Sequence, residues 1–288
     1  MSAPLVVAQI IGGLGNQLFQ YATARALAQR LGLPLALDIS GFDQYPLRRF
    51  QLDRFRVSIR RASMTDLFLL NGQHRFYRTI IPRNWQFYVI QEAVHHYHEI
   101  QIPNNFRKLY LLGYWQSEKY FQQIADLIRE EIRLPDEPKG LNADLLAQIQ
   151  NTDAVSIHVR RGDYITNPIA AAWHGACELD YYQRAIAYIE KQTQRPQFYI
   201  FSDDIPWVKA NLHINHPTTY VDHNANDPCE DLRLMSACKH FIIANSSFSW
   251  WGAWLAEYSQ KIVIAPKRWF LTPDKNDRDQ VPETWIRM

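Results

Sequence analysis

Ala154-Val155-Ser156-Ile157-His158-Val159-Arg160-Arg161-Gly162-Asp163-Tyr164 is an apolar run that ends in a histidine, two arginines and an acid. Its first part reads as a β-strand over 154–159. Successive side chains of a strand point to opposite faces, which puts His158 and Arg160 on one face and Val159 and Arg161 on the other. At the carboxyl end of a sheet strand, Arg160 is placed to enter a ligand crevice and Arg161 to anchor into the fold. A guanidinium matches phosphate oxygens two at a time and stays charged at any physiological pH. The bland alternative is a solvated basic strand end paired with Asp163. The surrounding sequence decides against it.

Outward from this run, strands at 154–159, 197–201, 218–221, 240–244 and 261–265 alternate with helices at 180–192, 205–212, 227–239 and 248–258. Such alternation implies α/β structure, a parallel sheet covered on both faces in the doubly wound manner. Ligands of such sheets bind outside the carboxyl ends of the strands. Three polar clusters fall there: His158 to Asp163, Ser202-Asp203-Asp204 and Asn245-Ser246-Ser247. The first half starts likewise, with a strand at 5–11 and a helix at 16–31 that buries Leu18, Phe19, Ala22, Ala26 and Leu27. Further strands are expected at 33–37 and 109–112. A helix over 117–133 is expected to be capped by Ser117, with Tyr120, Phe121, Ile124, Leu127 and Ile128 as its apolar stripe. Residues 41–108 are aromatic-rich and ambiguous. Leu134-Pro135-Asp136-Glu137-Pro138-Lys139-Gly140 reads as the linker, which gives domains at 1–140 and 141–288.

The 288 residues suffice for two domains, and Lys+Arg at 31 against Asp+Glu at 29 leaves no basic field for nucleic acid. Three cysteines, Cys177, Cys229 and Cys238, are odd in number and lack metal spacing, which points to a reducing compartment. The start, Met1 to Ala8, has no positive n-region, and its apolar run breaks at Gly12-Gly13. It reads as neither signal peptide nor membrane anchor, so the expectation is a cytoplasmic protein with no integral membrane segment. Asn245-Ser246-Ser247 matches a glycosylation acceptor pattern, irrelevant outside a secretory lumen.

Other motifs have competing readings. Gly12-Gly13-Leu14-Gly15-Asn16-Gln17, with Asp38 ending the next strand, evokes a dinucleotide fold, but Leu18 stands where a third glycine is needed. A tight turn and an anion loop both fit that segment. Ser202-Asp203-Asp204 could bind a divalent cation. Capping the following helix and holding Arg161 is preferred. Asp277-Arg278-Asp279 has the D-x-D form but sits among Pro273, Asp274 and Asn276, as a solvated loop would. His95-His96-Tyr97-His98 lacks a helical histidine pair and reads as packing. Hydroxyls at Asn245-Ser246-Ser247-Phe248 could cradle a phosphate, cap the helix, or both.

The runs Ile11 to Tyr21, Gly113-Tyr114-Trp115-Gln116-Ser117, His158 to Tyr164 and Asn245 to Trp251 together resemble the bacterial α-1,2-fucosyltransferases, glycosyltransferase family 11. These are related to fucosyltransferases that share an HxRRxD pattern. The resemblance implies a GT-B-like fold, two Rossmann-like doubly wound domains facing a cleft. It also implies GDP-L-fucose as donor, inversion at the anomeric carbon, no cofactor and no metal. His158 would lie against the nucleotide and Arg160 would grip the β-phosphate. Asp163, Asp203 and Asp204 would hold Arg161. Asp231 resembles the acid that reads guanine, a first-turn helix carboxylate being its alternative. Ser246 and Ser247, with Phe248, would meet the pyrophosphate. Gly13, Gly15 and Asn16 would close on donor and acceptor, with Asn16 and Arg160 as the catalytic pair. Gln17, Tyr114, Trp115 and Gln116 would face a β-galactoside acceptor. No general base is assigned. Competing readings are the same fold with another nucleotide sugar and a non-catalytic nucleotide- or carbohydrate-binding homologue.

Overall fold

Leu5–Gln9, Leu35–Asp38, Phe87–Gln91 and Lys108–Leu112 (β1 to β4) pair only in parallel, in the order β2-β1-β4-β3. This computed structural model describes residues 4–43, 48–67, 87–272 and 276–288. The chain divides into two units, Met1–Arg133 and Leu134–Met288. In the first, β1 is covered on both faces, as a parallel sheet demands of an unbroken apolar run. Helix α1 (Leu14–Leu31) follows it and is buried around most of its first half, including Gln17 and Gln20. Of the expected stripe, Leu18, Phe19, Ala22 and Leu27 are buried and Ala26 is half-buried. The helix ends where Gly32 turns left-handed at φ +63°, with Gly32 N–H donating to Gln29 O and Leu33 N–H to Ala28 O. A single turn, α2 (Met64–Leu67), brings Asp66 within 3.1 Å of Lys108 Nζ, so the buried lysine opening β4 is paired.

Two expectations for this unit need correction. The helix expected over 117–133 is broken into 3-10 turns at Glu118–Tyr120 and Gln122–Ile124, followed by α3 (Ala125–Glu131). Phe121 and Ile124 leave helical backbone, with φ of −137° and −121°. Phe121 is thereby buried completely, its ring 6.1 Å from that of Phe19. Tertiary packing overrides helical continuity here. Ser117 does cap, but caps the first 3-10 turn, accepting from Lys119 N–H at 3.4 Å. The second miss is β3, which lies in the aromatic stretch left ambiguous.

The second unit begins with α4 (Leu141–Gln150), not expected from the sequence, and then alternates as read. The strands are β5 (Asp153–Val159), β6 (Pro196–Ser202), β7 (Thr218–Val221), β8 (His240–Ile242), β9 (Val263–Ala265) and β10 (Ile286–Arg287). Between them run α5 (Gly162–Thr166), α6 (Pro168–Trp173), α7 (Leu179–Gln192), α8 (Ile205–Asn211), α9 (Pro228–Ser236) and α10 (Ser247–Leu255). All pairings are parallel, in the order β10-β9-β8-β5-β6-β7. The chain builds outward from β5 on one side, then returns to its other side with β8. Strand order therefore reverses at β5, the place where an open parallel sheet leaves a crevice at its carboxyl edge. In the first sheet it reverses at β1, where β4 returns beside it. Among the described residues no helix is long and apolar enough to cross a membrane.

Candidate active site

In the second unit, the register Val159↔Ser202 sets the residues that follow β5 beside those that follow β6. Arg160 and Arg161 therefore meet Asp203 and Asp204. Arg160 Nη2 donates to Asp163 Oδ1 at 2.6 Å, and Nη1 pairs with Asp203 Oδ2 at 2.8 Å. The Tyr164 ring lies 5.6 Å from its guanidinium. Arg161 donates from Nε to Asp204 Oδ2 at 3.2 Å and stacks 3.7 Å over the Trp207 ring. Its backbone N–H donates to Asp203 Oδ1 at 2.9 Å. The expected grouping of Asp163 and both later acids around Arg161 is thus corrected. Asp163 and the Asp203 side chain serve Arg160, while Asp204 and Trp207 serve Arg161. Asp204 also caps α8, accepting from Trp207 N–H at 3.1 Å.

Gly162 explains itself by contact: a Cβ there would overlap Asp203 Oδ2. His158 is 5% exposed, and burial pulls its pKa down to about 4, Arg160 adding to the effect and Asp203 opposing it. The ring is neutral at physiological pH, and its buried Nδ1 has no hydrogen-bond partner. Its centroid lies 5.7 Å from that of Phe248, on the first turn of α10.

Helix α10 starts just beyond β8, at the strand-order reversal. Ser246 is its cap residue, with extended backbone, yet its hydroxyl makes no capping bond. Ser246 is buried, and Ser247 and Phe248 are half-buried. Asn245 is sealed inside: Nδ2 donates to His174 O at 2.9 Å, Gly175 O at 3.1 Å and Trp269 O at 3.3 Å. That amide cannot carry a glycan. Tyr164 Oη donates to Asn245 O at 3.0 Å, joining the arginine loop to the serine loop.

Asp231, in the first turn of α9, accepts from Asn224 Nδ2 at 3.0 Å. Asn224 in turn exchanges hydrogen bonds with Asn142 at 2.9 and 3.0 Å. Burial pushes the Asp231 carboxyl up to about 7, with Asp227 and Glu230 adding to the effect and the Asn224 bond opposing it. The expected solvated loop at Asp277-Arg278-Asp279 is instead a clasp. Asp277 accepts from Trp269 N–H at 2.6 Å and from Arg287 Nη1 at 3.2 Å, and Asp279 is 9% exposed. Pro273 and Asp274 lie outside the described residues. Among the described residues, no three His, Cys, Asp or Glu side chains gather as a metal ion would need.

In the first unit, the loops after β1 and β4 meet at the strand-order reversal. Gly12 holds φ +80°, Gly13 caps α1 and Gly15 lies within its first turn. Gln116 Nε2 donates to Asn16 Oδ1 at 2.8 Å. Two buried glutamines stitch these loops. Gln17 donates to Gly12 O at 2.9 Å and Arg49 O at 2.7 Å and accepts from Gln51 N–H at 3.0 Å. Gln20 accepts from Ile11 N–H at 2.9 Å and donates to Gly113 O at 3.1 Å. Gln17 is fully buried and Trp115 is 1% exposed, so neither presents the acceptor-facing surface expected of it. Tyr114, 39% exposed, does present a ring face. Asp38 is committed inside the fold, with Oδ1 accepting from Ser40 and Oδ2 from Tyr110 Oη at 2.6 Å. His98 packs on Trp115 and Tyr120, in keeping with the packing reading of its cluster. Sequence reasoning missed Gln20, Glu92, Trp207 and Asn224. A signal existed for Gln20: amides at i and i+3 inside an otherwise apolar helix imply buried backbone partners.

Comparison with known proteins places this geometry. A family model described as Glycosyl transferase family 11 matches residues 5–288. The Escherichia coli alpha-1,2-colitosyltransferase is 33% identical over 299 residues, covering 99% of each chain. A galactoside alpha-(1,2)-fucosyltransferase 2 from Pongo pygmaeus is 26% identical over 85% of this chain and 67% of its own. Among solved structures, NodZ alpha-1,6-fucosyltransferase from Bradyrhizobium, co-crystallized with GDP, has a TM-score of 0.52 at 15% identity, covering 88% of this chain and 92% of its own. The fold is thus GT-B-like, built on two parallel α/β units.

Two outcomes follow from the second unit's geometry. Gly162→Ala must displace Asp203 and with it both arginines, an overpacking cost of ~1–3 kcal/mol. A urea-melting midpoint equal to wild type would show that Asp203 is not fixed by this contact. For Asp231, the folded state keeps a proton that the unfolded chain gives up between about pH 4 and about 7. Its contribution to stability therefore falls as pH rises through that window. Asp231→Asn should match wild type near the lower end and exceed it at pH 8 by on the order of a few kcal/mol. Parallel melting curves across pH would contradict this.

Proposed function

We propose a donor, an acceptor and a stereochemical course for this chain, which belongs to glycosyl transferase family 11 and is therefore a fucosyltransferase-like glycosyltransferase. The reaction is transfer of L-fucose from GDP-L-fucose to the 2-hydroxyl of a terminal β-galactose, giving an α-1,2-fucoside. One observation carries the reading. The arginine loop and the uncapped start of α10 converge where strand order reverses, as a pyrophosphate site requires. The names of the α-1,2-transferring relatives supply the linkage.

In the proposed step the acceptor 2-oxygen bonds to C1 of fucose from the face opposite the departing phosphate. The C1–O bond to the β-phosphate breaks, GDP leaves with the electron pair, and the hydroxyl proton is released. Negative charge grows on the leaving phosphate. Arg160 is held ready by Asp163 and Asp203, and both paired nitrogens carry a second N–H. A donor fixed in this way stabilises the transition state without reorganising, worth ~3–4 kcal/mol. Ser246, Ser247 and Phe248 complete the pyrophosphate side, and the unpartnered Nδ1 of His158 offers one more polar contact. Asp231 supplies the acceptor pair that matches the N–H donors of guanine. Gly13, Gly15 and Asn16 form the loop assigned to donor and acceptor. Tyr114 and the Asn16–Gln116 pair supply a ring face and polar atoms for the galactose. No resident metal or cofactor enters this scheme.

A second reading is favoured by the colitosyltransferase relative. Colitose is L-fucose without its 3-hydroxyl. A site built to hydrogen-bond that hydroxyl rejects the deoxy sugar by ~10⁴ or more, whereas a site built for the deoxy sugar excludes fucose only ~10²-fold.

Turnover assays with both donors on lactose, in excess EDTA, should show fucose transfer with strong rejection of the colitosyl donor. NMR of the product should place α-L-fucose on the galactose 2-oxygen. Weak discrimination in favour of colitose would move the assignment to the second reading, and loss of activity with EDTA would overturn the metal-free scheme. In the same assay Arg160→Lys should lose about 10²–10³-fold in turnover, because a point charge cannot reproduce two fixed contacts. Near-normal turnover of that folded variant would remove Arg160 from its role.

A further inference from the structure

Glu92 stands just after β3, at the same carboxyl edge as the loops that follow β1 and β4. Its two oxygens accept from adjacent backbone groups, Oε2 from Tyr114 N–H at 2.7 Å and Oε1 from Trp115 N–H at 3.0 Å. Its own N–H donates to Leu112 O at 2.8 Å, extending the β3–β4 ladder by one rung. The loop it grips is an unusual one. Gly113 sits at φ +154°, and Trp115 at φ +57° is the single non-glycine with positive φ among the described residues. A bulky residue adopts that backbone only when its surroundings over-determine it. Here they do: the Trp115 ring is 1% exposed, edge-on to Tyr120 at 5.4 Å and tilted to His98 at 6.0 Å. From the other side Gln20 Nε2 holds Gly113 O. A Cβ at Gly113 would overlap the Cβ of Glu92 and come within 2.8 Å of its Oε2, so the glycine is dictated by the carboxylate.

Holding the Tyr114 and Trp115 amides has two consequences. Trp115 is folded inward, which leaves Tyr114 as the ring facing out, 39% exposed. Gln116 is turned back to donate to Asn16 Oδ1. Burial pushes the Glu92 carboxyl up from its ordinary range, and the two N–H bonds oppose that shift. An acid kept in such a place for structure alone could be exchanged for a neutral acceptor, at a cost spread over the whole enzyme. An acid kept to shape the loop would show its loss at one substrate.

We propose that Glu92 is a positioning residue for the acceptor sugar: by fixing the Gly113–Gln116 loop it sets how the Tyr114 ring and the Gln116–Asn16 pair meet that sugar, and it leaves the GDP-bearing donor untouched. The inference rests on the transferase reading above, with the galactoside as acceptor. In Glu92→Gln the amide nitrogen faces one of the two N–H donors, so one grip is lost. Steady-state kinetics of that variant should raise the KM for lactose roughly tenfold or more, the scale of one charged hydrogen bond. The KM for GDP-fucose, the GDP affinity and acceptor-independent donor hydrolysis should stay within about twofold. Gly113→Ala pushes the same loop from the opposite side and should give the same split, which guards against a Glu92 variant that fails to fold. Wild-type lactose KM in both variants, or equal losses toward donor and acceptor, would overturn the role of Glu92 while leaving the transferase assignment standing. A wild-type enzyme that leaves every galactoside untouched overturns the acceptor reading and this inference with it.

Discussion

Two guanidinium groups on consecutive residues repel each other, and at a half-buried strand end that repulsion is poorly screened. The second unit resolves it by giving each arginine its own acids. Asp163 and Asp203 hold Arg160, while Asp204 and the Trp207 face hold Arg161. Much nearby structure exists to permit this. Gly162 lacks a side chain because Asp203 occupies the space. The β5–β6 register places the acids beside the arginines, and Asp204 caps α8 with its second oxygen. Tyr164 then carries the arrangement across the reversal, from the arginine loop to the backbone of Asn245.

The first unit solves a different problem at the corresponding edge. Its loops carry backbone N–H and C=O groups that no strand or helix pairs, and burying them bare would cost ~1–3 kcal/mol each. Gln17, Gln20 and Glu92 answer from inside the unit, together meeting Gly12 O, Arg49 O, Gln51 N–H, Ile11 N–H, Gly113 O and the amides of Tyr114 and Trp115. A fully satisfied polar network of this kind fixes one loop conformation. That is why residues with the composition of a binding surface, Gln17 and Trp115, belong to the interior.

What the sequence made legible follows from the same physics. Parallel strands buried on both faces are unbroken apolar runs, so the alternation from Asp153 to Ala265 could be read almost element by element, and the polar clusters at their carboxyl ends came with it. The GDP-side residues fell at one sheet edge as the alternation required. Pairings were harder. Whether Asp163 serves Arg160 or Arg161 depends on where α5 turns, which no periodicity reveals. Strand β3 hid in an aromatic segment because Phe87–Gln91 is an edge strand with little burial to impose a pattern. The 117–133 stripe fitted one helix, yet burying Phe121 required breaking it. Glu92 had no local signature, since its partners lie 22 and 23 residues away.

The clamp also limits what can bind beside it. Arg160 with Asp163 and Asp203 carries one net negative charge, so an incoming pyrophosphate meets a trio that does not attract it as a whole. Binding there must come from direction, from the second N–H on each paired nitrogen and from the start of α10. That helix is well fitted to the task because it cannot shift: Trp250, Trp251 and Trp254 pack against one another at 5.1 to 5.9 Å, and Trp250 Nε1 donates to Gln280 O at 2.7 Å. A neutral His158, kept so by burial, adds a polar atom without adding charge. Fixed dipoles and one oriented guanidinium hold an anion through geometry, and they favour the charge that develops on the leaving phosphate over any charge arriving elsewhere. A surplus of positive charge would bind GDP more tightly after transfer and slow its release. The carboxylates that restrain Arg160 therefore serve turnover as well as structure.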